Sequence, residues 1–177
     1  PQPNTTHLKG RCRGFVMNGN PIPPKPWNFM TEIRSKLGAL EIPFEEVLRI
    51  YEDPRRYYRT FEIKKRDGGV RQIASPSPML RAIQRKVLKH ILYDIPANEA
   101  AKAYIPGKGV RENARFHKSQ QFLLKTDITN FFASIRKEVT FGALLKRGAS
   151  EDIARFVASI SCLDGVLPQG APTSGYL

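Results

Sequence analysis

The chain has 177 residues, 41% of them hydrophobic, enough for one sizeable core, so a disordered chain is excluded as the starting assumption. Lys and Arg number 29 against 16 Asp and Glu, a net charge of +13 with no homopolymeric basic tail, which points to a polyanionic partner met by a folded face, nucleic acid first. Cys12 and Cys162 stand far apart in no metal-ligand spacing, and no apolar run approaches the roughly 18 residues that cross a bilayer, so a disulfide framework, a zinc site and a membrane span are not expected.

Residues 1–26 are dense in Gly and Pro and read as an irregular N-terminal arm, with Lys9, Arg11 and Arg13 available to phosphates or to solvent. The opening Pro-Gln-Pro-Asn has no signal-peptide pattern, and the lack of an initiator Met suggests a processed or excised piece; the expected setting is reducing and cytoplasmic. From Trp27 the residues Met30, Ile33, Leu37 and Leu40 recur at helical spacing. A second helix starts at Pro43, with Glu45 and Glu46 in its first turn, and buries Phe44, Val47, Leu48 and Tyr51.

The period changes at 59–75, where Arg59–Ile63 and Val70–Ala74 flank Asp67-Gly68-Gly69, the composition of a β-hairpin. Ser77-Pro78 then supplies a cap and a first-turn proline for a helix that turns Leu80, Ile83, Val87, Leu88 and Ile91 inward and Arg81, Arg85, Lys86 and Lys89 outward. The stretch 103–110 reads as a loop and 111–118 as a short helix or turn that would set Asn113 and His117 on one face. Phe122–Asp127 alternates Leu123, Lys125 and Asp127 onto one side and predicts a strand. Helices follow at about 137–146 and 150–161, the latter capped by Ser150, and Asp164-Gly165 is a turn.

Two runs carry chemistry. Lys-Thr-Asp-Ile-Thr-Asn-Phe-Phe-Ala-Ser-Ile at 125–135 places Asp127 at the end of an apolar stretch, where a buried carboxylate needs a cation or donors. On position alone, a helix cap accounts for it better. The other run is Leu-Pro-Gln-Gly-Ala-Pro-Thr-Ser at 167–174, about 40 residues later. With Asp127 and the aromatic Phe132 five places on, these runs resemble two palm motifs of reverse transcriptases, and Asn113-Ala-Arg-Phe-His117 is similar to a signature of bacterial retron-type enzymes. The resemblance covers about two thirds of the chain, from Thr60 to Leu177, including Lys65–Arg71 and Pro78–Leu92.

The resemblance implies an α+β incomplete right-hand polymerase fold, with the arm at 1–26, mostly helical fingers at 27–120 carrying one hairpin, and the N-terminal part of a palm at 121–177. It implies that Asp127 is catalytic and, with the Ile128 carbonyl, holds two Mg2+ ions; that Lys65, Arg71, Asn130, Phe131, Phe132, Gln169 and Gly170 bind the nucleotide; and that Arg81, Arg85, Lys86, Lys89, Asn113 and His117 meet nucleic acid. Phe132 would be a steric gate against a ribose 2′-hydroxyl, while Phe131 is equally a core residue. Arg71 ranks ahead of Lys65, because Lys64 and Arg66 leave the lysine's register open, and Asn113 and His117 have structural roles as the competing account.

The resemblance also implies an RNA template, a DNA primer and dNTPs as partners, and defence against phage as a setting for an enzyme of this type. No Asp-Asp pair occurs in the chain, and Glu151-Asp152 lies between the two motifs rather than after them, so the piece by itself is expected to be inactive. A non-catalytic RNA-binding module and one half of a split polymerase are the alternatives, the latter with an apolar palm edge prone to self-association. Gly175 departs from the family pattern, in which proline is common at that place.

Overall fold

The computed structural model describes residues 16–17, 20–21, 28–37, 42–65 and 68–177. The arm expected at 1–26 lies largely outside these residues, as do Trp27, Leu40, Arg66 and Asp67. Within the arm, Val16–Met17 (β1) pairs antiparallel with Asn20–Pro21 (β2), a two-residue ladder where only irregular chain was expected. Asn18-Gly19 between them is a strong turn-forming pair, a signal that the proline-rich surroundings mask.

Among the described residues the chain is α+β, with seven α-helices and one substantial antiparallel hairpin. Helix α1 (Asn28–Leu37) buries Ile33 and Leu37, and α2 (Phe44–Glu52) buries Val47 and Ile50. Pro43 is the N-cap of α2 rather than its first helical residue, a shift of one position. A short 3-10 turn, Pro54–Tyr57, leads into β3 (Tyr58–Lys64), which pairs with β4 (Val70–Pro76) from Tyr58↔Pro76 to Lys64↔Val70. The base of the hairpin is anchored to α3 (Pro78–His90): Ser77 Oγ accepts from Leu80 N–H, Ser77 N–H donates to the Tyr57 carbonyl, and Arg81 donates to Ser75 Oγ and the Pro76 carbonyl. The free end of the hairpin is exposed.

Helix α4 (Val110–His117) is exposed, α5 (Phe131–Ser134) is one turn, and α6 (Lys137–Lys146) leads to α7 (Glu151–Ser161). Every residue of α7 from Ile153 to Ser161 is buried, and the helix packs against α1, α2, α3 and α6. Its polar members are satisfied individually where they can be: Arg155 pairs with Glu151, and Ser159 donates to the Tyr51 carbonyl and accepts from Lys137. Gln84, fully buried on α3, donates to Tyr58 Oη at 2.7 Å and to the Ile160 carbonyl at 2.8 Å, joining hairpin, α3 and α7.

The strand expected over Phe122–Asp127 is not formed. These residues belong to no ladder, and each is exposed, Phe122 at 90% and Leu124 at 88%. Alternation prepares a segment for a sheet, yet a strand exists only when a neighbour takes its backbone hydrogen bonds, and no other strand lies alongside among the described residues. None of the described helices is long and apolar enough to cross a membrane.

Candidate active-site cleft

The cleft is built around a tight turn. Asp164 and Gly165 both have positive φ, 50° and 83°, and Leu163 and Val166 exchange backbone hydrogen bonds across them, as a type I′ turn requires. The chain after this turn runs beside the one after α5: Lys137 N–H donates to the Gly165 carbonyl at 2.8 Å and Leu167 N–H to the Ile135 carbonyl at 3.0 Å. These rungs fix Pro168-Gln169-Gly170 relative to Phe131 and Phe132.

From its other side the loop meets the hairpin. Ala74 N–H on β4 donates to the Gln169 carbonyl at 2.9 Å. A methyl group built on Gly170 would lie 2.9 Å from the Ala74 carbonyl oxygen, and Gly170 has φ of 118°, so both space and backbone conformation favour glycine there. What comes close to this glycine is the β3–β4 hairpin itself.

The three walls enclose a cavity of about 610 Å³. Lys65, Arg71, Asp127, Ile128, Asn130, Phe131, Phe132 and Gln169 all line it, so the residues named from two distant motifs and from the hairpin face one space. Asp127 is exposed to the cavity and caps no helix: the N-cap of α5 is Asn130, in the left-handed region at φ 54°, without a side-chain cap bond. The Phe131 and Phe132 rings meet edge to face at 5.5 Å, with Phe131 the more exposed. Neither ring is fully buried, so Phe131 is not a core residue here.

Thr60, Val70, Gln72, Ile73 and Ala74 also line the cavity, as do Asp164, Val166 and Leu167. Sequence reasoning missed them. The hairpin register was a usable signal for the first group, since Thr60 lies opposite Ala74 and Gln72 two places from it, but only the contact with Gln169 says which side faces the site. Asp164 is paired with Arg55 at 3.3 Å. Among the described residues no three His, Cys, Asp or Glu side chains come together as a metal cluster, and Asp127 and Asp164 are the acids that line the cavity.

The remaining named residues lie elsewhere. Arg85 and Lys89 are exposed and Lys86 half-buried on α3, whereas Arg81 is engaged at the hairpin base. Asn113 and His117 are exposed on α4, outside the cavity. Beneath the site, burial pushes the Cys162 thiol up to about 11 and holds the Lys137 ammonium below its ordinary range, while burial raises the Tyr58 phenol well above its own.

Fold and cleft together define an α+β chain with a mostly helical body and a cleft in which the Asp127 carboxylate shares one cavity with Lys65 and Arg71 of the hairpin. No protein-family model matches the chain. Comparison with curated proteins finds the retron Ec83 reverse transcriptase of Escherichia coli, 39% identical over 94 residues, covering 53% of this chain and 30% of that protein. The retron Mx65 reverse transcriptase of Myxococcus xanthus is 31% identical over 174 residues, 85% of this chain and 40% of the relative. The retron Ec86 reverse transcriptase of Escherichia coli is 30% identical over 151 residues, 84% of this chain and 47% of the relative. The chain is a relative of the retron-type reverse transcriptases, and it spans less than half the length of these proteins.

Proposed function

We propose that the cleft is the nucleotide side of an RNA-directed DNA polymerase site. The observation that carries this reading is the convergence of Asp127, Phe132, Arg71, Lys65 and Gln169 on one cavity of about 610 Å³, within the usual range for a small-molecule site, roughly 300–1,000 Å³. Lys65 and Arg71 neutralise the triphosphate, the arginine by a two-pronged grip. The backbone N–H groups of Asn130 and Phe131 lie within reach of the same phosphates. Gln169 and Gly170 form the floor under sugar and templating base, and the Phe132 ring stands where a ribose 2′-hydroxyl would collide, which favours deoxynucleotides.

The Asp127 carboxylate and the Ile128 carbonyl are hard oxygen donors of the kind Mg2+ takes, with water and phosphate oxygens completing the shell. Two such ions, when bound, acidify the attacking hydroxyl and neutralise the leaving pyrophosphate. Asp127 alone supplies too few carboxylates to hold both, so the 177-residue chain binds nucleotide without polymerising. RNA template and DNA primer engage the exposed basic side of α3, through Arg85, Lys86 and Lys89 with Arg81 at its root, and the α4 face bearing Asn113 and His117. The exposed Phe122, Leu123 and Leu124 favour pairing of this segment with a further strand, from the same polypeptide or a second one.

The test has two parts. Calorimetry with dNTP and Mg2+ should give binding to the 177-residue chain that Arg71→Ala weakens about tenfold, the loss of one charge-assisted phosphate contact. Incorporation of dNTPs on primed RNA by the full-length native product should vanish in Asp127→Asn. Incorporation that survives this substitution, or binding indifferent to Arg71→Ala, overturns the assignment.

A further inference from the structure

The loop before α4 carries a feature that the cleft does not use. Ile105 is tucked against the core, while its neighbour Tyr104 adopts the left-handed backbone conformation at φ 61° and leaves its side chain 68% exposed. The Tyr104 ring lies flat against the bare Cα of Gly175: a methyl group built on that glycine would sit 2.5, 2.6 and 2.7 Å from Cγ, Cδ1 and Cδ2 of the ring. One aromatic face is therefore supported by backbone from the segment after the Pro-Gln-Gly loop, and much of the ring stays open to water. A turn closed by Lys108 N–H donating to the Ile105 carbonyl follows, and Lys108 is exposed in the same short loop.

An aromatic ring backed on one face by a glycine, otherwise largely exposed, and followed four residues later by an exposed lysine on a chain of net charge +13 is an arrangement that suits stacking of an unpaired base. We propose that Tyr104 is a stacking platform for one unpaired base of an RNA strand, with Lys108 on the adjoining phosphate. It rests on the reading of the chain as a nucleic-acid-binding protein, and adds a contact outside the cleft. The departure at Gly175 then has a local reason: any side chain there would displace the ring.

The experiment uses the 177-residue chain and a fluorescein-labelled, mixed-sequence RNA of about 12 nucleotides, of the order of single-strand site sizes, read by anisotropy at several salt concentrations. Tyr104→Leu should weaken binding about tenfold with an unchanged salt slope, Tyr104→Phe should stay within about twofold, and Lys108→Ala should lower the slope by about 0.7. A duplex of the same sequence should be indifferent to Tyr104→Leu. Single-strand affinity equal to wild type in Tyr104→Leu, or an equal loss in Tyr104→Phe, overturns the platform and leaves the cleft assignment standing. Failure of the wild-type chain to bind RNA at all overturns both.

Should Tyr104→Leu lower the melting temperature, photocrosslinking of the wild-type chain to RNA containing 4-thiouridine decides. Adducts on the peptide carrying Tyr104 support the platform, and adducts confined to other peptides, or capture of a protein partner by the same face in place of RNA, overturn it.

Discussion

At the scale of single residues, Gly170 shows how a motif glycine can serve two masters, a left-handed backbone and a close neighbour. Gly170→Ala should destabilise the chain by about 2–3 kcal/mol, because strain and the collision with the Ala74 carbonyl act together. Gly68→Ala is the control: φ is 82° but nothing lies within 4 Å, so only about 1 kcal/mol should be lost. Urea denaturation of the two variants separates strain from collision, and equal losses would refute the contact. Cys162 gives a pH prediction. The folded state keeps its thiol protonated up to about 11, whereas the unfolded chain ionises near 9.0, so stability falls as pH rises through that window, by at most about 2–3 kcal/mol. Tyr58 adds to the fall at still higher pH, and Lys137, shifted the other way, opposes it. Cys162→Ala should lose distinctly less stability between pH 8 and 10.5 than wild type in the same urea titration.

At the scale of elements, caps and turns are where the sequence is most readable. Ser77-Pro78, Ser150 and Asp164-Gly165 each announce a boundary through local chemistry, and each boundary falls where that chemistry puts it. The hairpin is legible for the same reason, since alternation and a glycine turn act within twenty residues. Phe122–Asp127 has the right pattern and no ladder, because pairing depends on a distant neighbour that a local pattern does not contain. The cleft divides likewise: Asp127, Phe132 and Gln169 stand in recognisable runs, while Thr60, Gln72 and Ile73 become site residues only through the Ala74–Gln169 contact. The burial of α7 on every side was hidden by Arg155, Ser159 and Ser161, whose polarity suggests a solvent face. Ser150 caps α7 and also donates to the Glu32 carboxylate on α1, so Ser150→Ala should cost about 1–2 kcal/mol. A double-mutant cycle with Glu32→Ala should assign a few tenths of a kcal/mol of that to the exposed contact and the rest to the cap.

At the scale of the whole molecule, charge and topology dominate. With a net charge of +13 on the chain, RNA affinity should fall steeply with salt, log Kd changing by roughly 0.7 per phosphate contacted for each decade of salt. An affinity flat between 50 and 300 mM salt, roughly the range over which phosphate contacts weaken, would refute a phosphate-dominated interface. The helix at the centre of the fold has a further consequence. Helix α7 meets partners 108 and 118 residues earlier in the chain, Tyr51 and Glu32. A ribosome adding on the order of 10 residues per second therefore leaves Ile33, Val47, Leu80 and Ile83 without their common partner for about ten seconds. Until α7 emerges those apolar faces stay open to water, and a pause in translation before residue 150 prolongs that exposure.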